Sequence, residues 1–411
     1  MKGSRHFRVS ALLSACVMSL IATAGWSQSL TWLGTLSGSE YDISYASGVS
    51  ADGSVVVGWS YNAAGSRAFR WQNGVMQALG TLGGSESLAY GVSANGAVVV
   101  GVADNAAGSR AFRWTASGGM QALGTLGGNW SWARGVSADG SVVVGGASNA
   151  AGQRRAFRWT ASGGMQALGT LGGNESVAYG VSANGAVVVG WAENAAGQWR
   201  AFRWQNGVMQ GLGTLGGDWS WANGVSANGA VVVGWAENAA GQRHAFRWQN
   251  GVMQALGTLG GTWSEAYGAS ADGSVVVGSA QNAAGRYRAF RWTASGGGME
   301  DLNTTYASLL TNGSELRSAY AISPDGRYIV GVGYNAATRR LEAFLLDTEP
   351  RCTAHNGDVD RNGCVDDADL LAVLFAFGST GSNLGRVDVN CDGVVDDADL
   401  LQVLFNFGSG C

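Results

Sequence analysis

Short apolar runs separated by glycine-containing turns recur along most of the chain. In one copy, residues 89–102, the run AYGVSA is followed by Asn95-Gly96 and then by AVVVGV. Two β-prone runs joined by Asn-Gly or Asp-Gly predict a β-hairpin, because both central residues of the tight turn need a positive φ. The same turn recurs at Asp52-Gly53, Asp139-Gly140, Asn184-Gly185, Asn228-Gly229, Asp272-Gly273 and Asp325-Gly326.

A longer period groups these hairpins into seven repeats. LGTL-type motifs recur roughly every 44 residues, and they begin at Leu33, Leu79, Leu123, Leu168, Leu212, Leu256 and, in a degenerate form, Leu302. AFRW motifs begin at Ala68, Ala111, Ala156, Ala201, Ala245 and Ala289, with AFLL at Ala343 as the seventh copy. Each repeat reads as four short strands, which is typical of a β-propeller blade.

The two ends of the repeat region are offset from each other. The first LGTL motif, at Leu33, precedes any first strand, and AFLL at Ala343 has no fourth strand after it. If residues 30–36 supply that missing strand, seven blades close into a ring without free edges. An open solenoid would need polar caps instead. We therefore predict an all-β seven-bladed propeller with strand-exchanged closure over residues 29–348.

The repeat segments GVSADGSVVVG, NAAG, RAFRW and LGTLGG resemble the HAF family of extracellular repeats over roughly residues 30–347. The resemblance implies an extracellular repeat protein, and it carries no known chemistry. The AFRW tryptophans recur in six copies, and we interpret them as core between blades: Trp71, Trp114, Trp159, Trp204, Trp248 and Trp292.

Two segments of each repeat vary, namely the stretch after LGTLGG and the stretch around NAAG. In an antiparallel four-stranded blade these two connections lie on one face, and the constant hairpin turns lie on the other. A binding surface on a rigid scaffold shows this distribution. The aromatic residues expected on that face, suited to a sugar or to a protein, are Trp130, Trp132, Trp219, Trp221 and Trp263, with Trp199 and Tyr287 near them. The alternative is that these residues only pack between neighbouring loops.

Composition and motif content argue against two classes of function, nucleic-acid binding and catalysis. A net charge of −4 gives no electrostatic basis for binding nucleic acid. The chain has three His, and His244 occupies a repeat position that other copies fill with Arg. There is no nucleophile elbow, HExxH motif or P-loop in the sequence. We therefore expect a non-enzymatic protein.

The first 24 residues have the pattern of a signal peptide. Lys2, Arg5 and Arg8 precede an apolar stretch that ends in the A-x-A pattern at Ala22 and Ala24. Cleavage there predicts a secreted or cell-surface protein with no membrane span. The alternative is lipoprotein processing at Cys16, since LSAC resembles a lipobox.

The last 60 residues contain two acidic twelve-residue segments, DVDRNGCVDDAD from Asp358 and DVNCDGVVDDAD from Asp388. Both fit the EF-hand pattern, in which oxygen ligands alternate along the loop and the glycine at position six allows a sharp turn. We predict two Ca²⁺ ions and folding coupled to the metal. The expected ligands are Asp358, Asp360, Asn362, the carbonyl of Cys364, Asp366 and Asp369 in the first loop, and Asp388, Asn390, Asp392, the carbonyl of Val394, Asp396 and Asp399 in the second.

Each loop leads into an apolar helical segment, DADLLAVLFAFG or DADLLQVLFNFG, and no long helix precedes either loop. The arrangement resembles a type I dockerin over residues 356–408, which implies Ca²⁺ and a cohesin-type protein partner. At positions ten and eleven, where dockerins carry partner-specifying residues, this chain has Asp-Ala in both loops. Attachment to a surface or matrix component is therefore the broader hypothesis. We expect Leu370, Leu371, Leu374 and Phe375 to face Leu400, Leu401, Leu404 and Phe405 as a two-helix core.

Four cysteines would remain after signal cleavage, and all lie in this segment: Cys352, Cys364, Cys391 and Cys411. An even number in an exported module favours disulfides over zinc, because no CxxC pair is present. Of the three pairings, we favour Cys352–Cys411 together with Cys364–Cys391.

The expected organisation is a signal peptide (residues 1–24), a propeller (29–348), a linker (349–355) and a small α-helical Ca²⁺-binding module (356–411). The expected function is binding or structural, with calcium-dependent docking or anchoring by the C-terminal module. The alternative is a secreted glycan-active enzyme carried by a dockerin-like tag.

Overall fold

The computed structural model describes residues 27–39, 41–63, 65–351, 355–360, 362–380 and 384–411. The predicted signal peptide, Cys16 and Cys352 therefore lie outside the described residues. The chain divides into two compact units, Gln28–Thr348 and a second unit that includes Glu349–Cys411. None of the described helices has the length and apolar character needed to span a bilayer.

The larger unit is an all-β seven-bladed propeller, as predicted, in which each blade is a sheet of four strands. The chain enters through β1 (Ser27–Trp32). Blade 1 contains β2 (Ile43–Val49), β3 (Val55–Asn62), β4 (Gly65–Gln72) and β5 (Val75–Ala78). Blade 2 contains β6 (Ser87–Val92), β7 (Val98–Asn105), β8 (Gly108–Thr115) and β9 (Gly119–Ala122). Blade 3 contains β10 (Gly127–Val136), β11 (Val142–Asn149), β12 (Arg154–Thr160) and β13 (Gly164–Ala167).

The next blades repeat this plan. Blade 4 contains β14 (Gly172–Val181), β15 (Val187–Asn194), β16 (Trp199–Gln205) and β17 (Val208–Gly211). Blade 5 contains β18 (Gly216–Val225), β19 (Val231–Asn238), β20 (Arg243–Gln249) and β21 (Val252–Ala255). Blade 6 contains β22 (Gly260–Ala269), β23 (Val275–Asn282), β24 (Tyr287–Thr293) and β25 (Met299–Asp301). A short helix α1 (Leu302–Thr305) and the 3₁₀ turns Ala307–Leu309 and Thr311–Gly313 follow.

Blade 7 contains β26 (Glu315–Ile322), β27 (Tyr328–Asn335) and β28 (Arg340–Arg351), and its fourth strand is β1. The order β1-β28-β27-β26 confirms the predicted strand exchange between the two ends of the repeat region. The Leu33 amide donates to the Ala343 carbonyl at 2.9 Å, in continuation of the same edge. Strand β28 extends to Arg351, into the predicted linker.

The apolar core lies between neighbouring blades. Val55 and Val57 of blade 1 cluster with Phe112 of blade 2, whereas Val56 points to the opposite side and clusters with residues of blade 7. The VVV runs are continuous because both faces of each blade are covered, as in any strand buried on both sides. The AFRW phenylalanines, such as Phe112, are fully buried. Of the AFRW tryptophans, Trp248 and Trp292 are buried, and the other four are partly buried against the same clusters.

The glycine after each VVV run permits close strand approach. A Cβ atom at Gly145 would lie 1.8 Å from the Trp132 carbonyl oxygen on the adjacent strand. No side chain fits at that distance, so the repeat needs glycine here.

A buried serine on the first strand of a blade forms hydrogen bonds to the preceding blade. In blade 3, the Ser131 hydroxyl accepts from the Ala111 amide at 2.9 Å and donates to the Gly124 carbonyl at 2.5 Å. Ser44 makes the same pair of bonds to Ala343 and Gly34 across the closing junction. The remaining equivalents are Ser87, Ser176, Ser220 and Ser264.

Backbone hydrogen bonds also link the constant hairpin turns around the ring. The Ala51 amide donates to the Ala94 carbonyl at 2.8 Å, and five further bonds continue the series as far as Ala271 to Pro324. Pro324 has no N–H, so it cannot donate the seventh bond back to blade 1. The turn-side series therefore ends at the junction that β1 closes.

The C-terminal unit contains helices α2 (Asp367–Ala376) and α3 (Asp397–Phe405) and a 3₁₀ turn, Gly385–Val387. Leu370 and Leu400 pack against a core of fully buried valines. These valines are Val365, Val373, Val389, Val395 and Val403. The prediction that the other Leu and Phe residues face each other is wrong. Leu371 and Leu374 are about half exposed, Phe375 is 88% exposed, and their counterparts Leu401, Leu404 and Phe405 match them. Loop valines and Val403 of α3 together cover the Leu370–Val373 side of α2, so the opposite side faces outward.

The favoured disulfide pairing is also wrong. Cys364 is bonded to Cys411, with 4.6 Å between their Cα atoms. This bond excludes both Cys352–Cys411 and Cys364–Cys391. The reason is that the segment after α3 returns to the first loop, where the Val365 amide donates to Ser409 and the Gly408 amide donates to Val365. Cys391 is disulfide-bonded as well, and its partner lies outside the described part of the chain.

Candidate functional site

The innermost strands of the seven blades enclose a central cavity of about 680 Å³. Each innermost strand places one equivalent residue at the cavity, directly before a glycine in blades 1 to 6 and before Ala321 in blade 7. Four of the seven are tyrosines, and the set is Ser47, Tyr90, Arg134, Tyr179, Asn223, Tyr267 and Tyr320. Tyr45, Trp221 and Glu265, two residues earlier on their own strands, also line the cavity.

Arg134 of blade 3 provides the cavity with a positive charge. Its guanidinium carbon lies 4.0 Å from the centre of the Tyr90 ring and 5.6 Å from that of Tyr179. Its Nε atom is buried and has no hydrogen-bond partner. Among the described residues no carboxylate lies within ion-pair distance of it. The cation is therefore held by aromatic rings and not by an acid.

Glu265 of blade 6 provides a carboxyl group, and blades 3 and 6 lie on opposite sides of the ring. The Asn223 side chain donates to Glu265 Oε1 at 2.9 Å and also to the Ala266 carbonyl. Burial raises the pKa of Glu265 to about 7, although the Asn223 bond and the charge of Arg243 act against that rise. Burial and the nearby Glu265 together raise the pKa of Tyr267 well above 10. The cavity thus holds one permanent cation and one acid that titrates near neutrality.

We predict that the Glu265 carboxyl makes propeller stability depend on pH. Its folded-state pKa lies above the value of 4.5 for a free side chain, so its contribution to stability is complete below pH 4.5 and is lost as pH rises through 7. Glu265→Gln should therefore raise the free energy of unfolding by about 2 kcal/mol at pH 8.5, and this gain should shrink towards pH 4.5. Denaturant unfolding at several pH values measures the difference.

Glu175→Gln is the matched control, because Glu175 lies on β14, the equivalent strand of blade 4. It tests whether removing any carboxyl group from an innermost strand reproduces the result for Glu265→Gln. The groups that face Glu265 are Asn223, Arg243, Tyr267 and Tyr320. A pH-independent difference for Glu265→Gln would contradict the assignment.

The variable segments lie together on one face of the propeller, as the strand order predicts. Leu126, in the stretch before β10, bridges Asn149 at the NAAG turn, and the same bridge recurs in the next three blades. The predicted tryptophans Trp130, Trp132, Trp219, Trp221 and Trp263 lie on the innermost strands, and with their aromatic neighbours they form three groups. Trp130 packs on Trp132 at 4.8 Å, whereas Trp219 packs on Trp199 at 5.5 Å.

Trp221 extends this aromatic cluster into the cavity. It lies 5.5 Å from both Trp191 and Trp235, which are almost completely buried. Trp263 contacts Tyr287 at 5.1 Å in a separate pair. Trp219 is the most exposed of the predicted tryptophans, at 39%. Packing between neighbouring segments, the alternative interpretation, therefore accounts for many of these contacts.

Sequence reasoning did not identify Arg134 or Glu265. The available signal was their departure from the repeat, since Arg134 replaces the tyrosine of other blades and Glu265 replaces residues such as Val177 and Trp221. Reading that signal requires knowing that both positions face the ring axis, which the four-strand pattern alone does not show.

The acidic loops of the C-terminal unit form the second candidate site. Ligand oxygens of Asp358, Asp360 and Asp369 lie within 4.8 Å of one another. Asp369 is fully buried, and its Oδ1 accepts from the Val359 amide at 2.6 Å and from the Asp360 amide at 3.1 Å. Asp358 Oδ1 is buried without any hydrogen-bond partner. A buried carboxylate oxygen left without a donor suits a cation ligand.

The second loop repeats this geometry. Asp399 Oδ1 accepts from the Val389 amide at 2.6 Å and from the Asn390 amide at 3.0 Å. Gly363 and Gly393, at position six, have φ of +90° and +88°. Burial raises the pKa of Asp388, and the charge of Asp399 adds to the effect. Two carboxylates are thus held close together in each loop.

Backbone amides orient the other predicted ligands in the same way in both loops. The Asn362 side-chain oxygen accepts from the Cys364 amide at 2.7 Å, and Asp392 Oδ1 accepts from the Val394 amide at 3.0 Å. Asp366 and Asp396, at position nine, cap α2 and α3 through the amides of Ala368 and Ala398. The donor sets are made of hard oxygens, so the residues present fit Ca²⁺.

No family model and no curated protein matches the chain. Among solved structures it is similar to oligogalacturonate lyase from Vibrio parahaemolyticus, with 8% identity, 77% of this chain and 93% of that chain covered, and a TM-score of 0.52. The propeller domain of the Trilobed protease from Pyrococcus furiosus matches with 11% identity over 76% of this chain and 99% of that chain, with a TM-score of 0.47. TolB from Acinetobacter baumannii matches with 12% identity over 75% of this chain, with a TM-score of 0.42, and the chain spans only 64% of its length. At these identities the likeness is one of fold alone.

Proposed function

We propose that the chain is a secreted, non-enzymatic binding or structural propeller whose C-terminal unit binds two Ca²⁺ ions and docks or anchors it. The observation that carries the calcium assignment is the buried Asp358 Oδ1, which has no donor, beside Asp360 and Asp369. A bound Ca²⁺ ion would neutralise the clustered carboxylates of each loop. Without that charge, their mutual repulsion opposes folding of the unit.

The exposed apolar side of α2 and its repeat on α3 support the docking role. Leu371, Leu374 and Phe375 leave large apolar areas open to solvent, and α3 presents the same three residue types at equivalent positions. Contiguous exposed apolar surface on a small unit favours a protein partner. A cohesin-like domain or another surface or matrix protein is the class of partner we propose.

Calcium stoichiometry tests the metal sites. Isothermal titration of the full chain should give two Ca²⁺ per chain, and Asp358→Ala or Asp388→Ala should each reduce that number to one. Asp367→Asn is the matched control, because Asp367 is exposed and lies at position ten of the loop, outside the expected ligands. Unchanged stoichiometry in the two alanine variants, or no calcium binding by the parent chain, would overturn the proposal.

Attachment tests the docking role separately. The full chain should sediment with cell-envelope material in Ca²⁺, and it should stay in solution when EDTA is present. Phe375→Ser with Phe405→Ser should abolish sedimentation but keep both calcium sites. Sedimentation that ignores EDTA and both substitutions would count against calcium-dependent docking.

A second candidate is a secreted glycan-active enzyme, and Glu265 is the observation that favours it. A carboxyl group with a pKa of about 7 is suited to general acid or base catalysis near neutral pH. Glycoside hydrolysis usually needs two carboxylates, and Glu265 is the single one among the described residues that line the cavity. A glycan panel read for both retention and released sugar separates the candidates, because binding gives retention alone.

A further inference from the structure

The central cavity has hydrogen-bond donors that no group in the described protein satisfies. Arg134 Nε and Trp221 Nε1 are both buried without an acceptor, and both residues line the cavity. An unsatisfied buried donor costs free energy, and a guanidinium without a counter-ion costs more than a neutral group. A ligand that fits this cavity should therefore present acceptor oxygens.

The walls of the cavity favour a ligand with a ring. Tyr45 stacks on Trp59 at 4.3 Å, and Tyr267 lies 5.1 Å from Tyr320, so aromatic surfaces occupy several sides. Aromatic faces pack against sugar rings and against other aromatic rings. A volume of about 680 Å³ is in the range of sites for small molecules.

The charges limit the ligand to a single negative group. Arg134 attracts an anion, and its planar guanidinium matches the two oxygens of a carboxylate. Glu265, on the opposite wall, carries a negative charge when ionised and disfavours multiply charged anions such as phosphate. Asn223, already bonded to Glu265, holds that carboxyl group in place.

We propose that the central cavity of the propeller binds a small carboxylate whose carboxyl group pairs with Arg134 and whose ring packs among the tyrosines. Two sources share this chemistry, namely a hexuronate sugar and an aromatic carboxylic acid. The inference deepens the binding role proposed for the propeller and does not depend on the calcium sites. If a bound sugar acid is converted to product, the non-enzymatic role fails while the assignment of the ligand stands.

Isothermal titration of the full chain at pH 8 and low salt, where Glu265 is ionised, tests the proposal. The probes are D-galacturonate and D-glucuronate, the neutral sugars D-galactose and D-glucose, 3-phenylpropionate, and inorganic phosphate. We expect at least one carboxylate to bind at least about tenfold more tightly than its neutral counterpart and than phosphate, as loss of a charged hydrogen bond implies. Binding by uronates alone identifies a sugar acid, and binding by phenylpropionate alone identifies an aromatic acid.

Arg134→Tyr is the decisive variant, because tyrosine occupies this position in blades 2, 4, 6 and 7. The substitution restores the repeat and should leave the melting temperature unchanged or higher, while carboxylate affinity falls by about 10- to 100-fold. Arg317→Gln removes a partly exposed arginine on the innermost strand of blade 7 and should bind as the parent does. Equal binding by Arg134→Tyr, equal binding of neutral sugars, or no binding of any carboxylate at 10-mM concentrations (roughly the weakest affinity such titration detects) would overturn the proposal.

Discussion

A chain that begins at Gly38 should fail to form the cooperative propeller that a chain beginning at Ser27 forms. The missing segment includes β1, the fourth strand of blade 7, and Leu33, which is 7% exposed and packs with Ala343 and Leu345. Its loss also removes the Gly34 carbonyl that accepts from Ser44. Each buried leucine contributes about 2–5 kcal/mol, so losing the whole strand removes an amount comparable with the total stability of a domain, about 5–15 kcal/mol.

Denaturant unfolding monitored by far-UV circular dichroism and by tryptophan fluorescence measures this effect. The chain that begins at Ser27 is the control, and it should show one cooperative propeller transition. A synthetic peptide of residues 27–37, added to the shortened chain, should restore the transition because it can occupy the vacant edge of β28. A shortened chain that melts within a few degrees of the control without the peptide would show that β1 does not close the ring.

The architecture was predictable because the same pattern of strands and turns occurs in seven copies. The Asp/Asn-Gly turns define the hairpins, and the displaced motifs at Leu33 and Ala343 reveal which strand is exchanged. Two sets of hydrogen bonds between blades could not be predicted from the sequence. One set is made by the buried serines, and the other joins the hairpin turns and ends at Pro324. Both depend on which atoms of neighbouring blades come within hydrogen-bond distance, and a repeat pattern does not specify the contacts between its copies.

The two candidate sites also differ in how far the sequence predicts them. The ligand residues of an acidic loop are brought together by a local turn. The sequence alone therefore predicts that Asp358, Asp360 and Asp369 lie close to one another. The cavity residues Arg134 and Glu265 come from blades 3 and 6, and only ring closure brings them to one axis. The outward side of α2 was mispredicted because loop valines share the helix–helix core with Val373 and Val403, which leaves no room there for the other Leu and Phe side chains.

The sequence predicted the disulfide connectivity incorrectly, and the observed Cys364–Cys411 bond implies a large effect on stability. Cys364→Ser with Cys411→Ser should destabilise the C-terminal unit by about 4 kcal/mol, as chain entropy gives for a closed loop of this length. The two residues are 47 positions apart. The bond also holds Ser409 against Val365, next to a carbonyl that we propose as a calcium ligand.

Guanidinium unfolding at fixed, saturating Ca²⁺ measures the change, with hydrogen exchange of α2 and α3 to assign it to this unit. Val394→Ser is the matched control, because Val394 occupies the position of Cys364 in the second loop and forms no cross-link. It reports the cost of a small polar side chain at that loop position, so the difference between the variants isolates the covalent bond. A difference below about 1 kcal/mol would mean that losing the cross-link gives the unfolded chain little additional freedom. The hydrogen bonds between Val365 and residues 408–409 would then hold the end of the chain in place without the disulfide. A digest linking Cys364 to any cysteine other than Cys411 would refute the pairing itself.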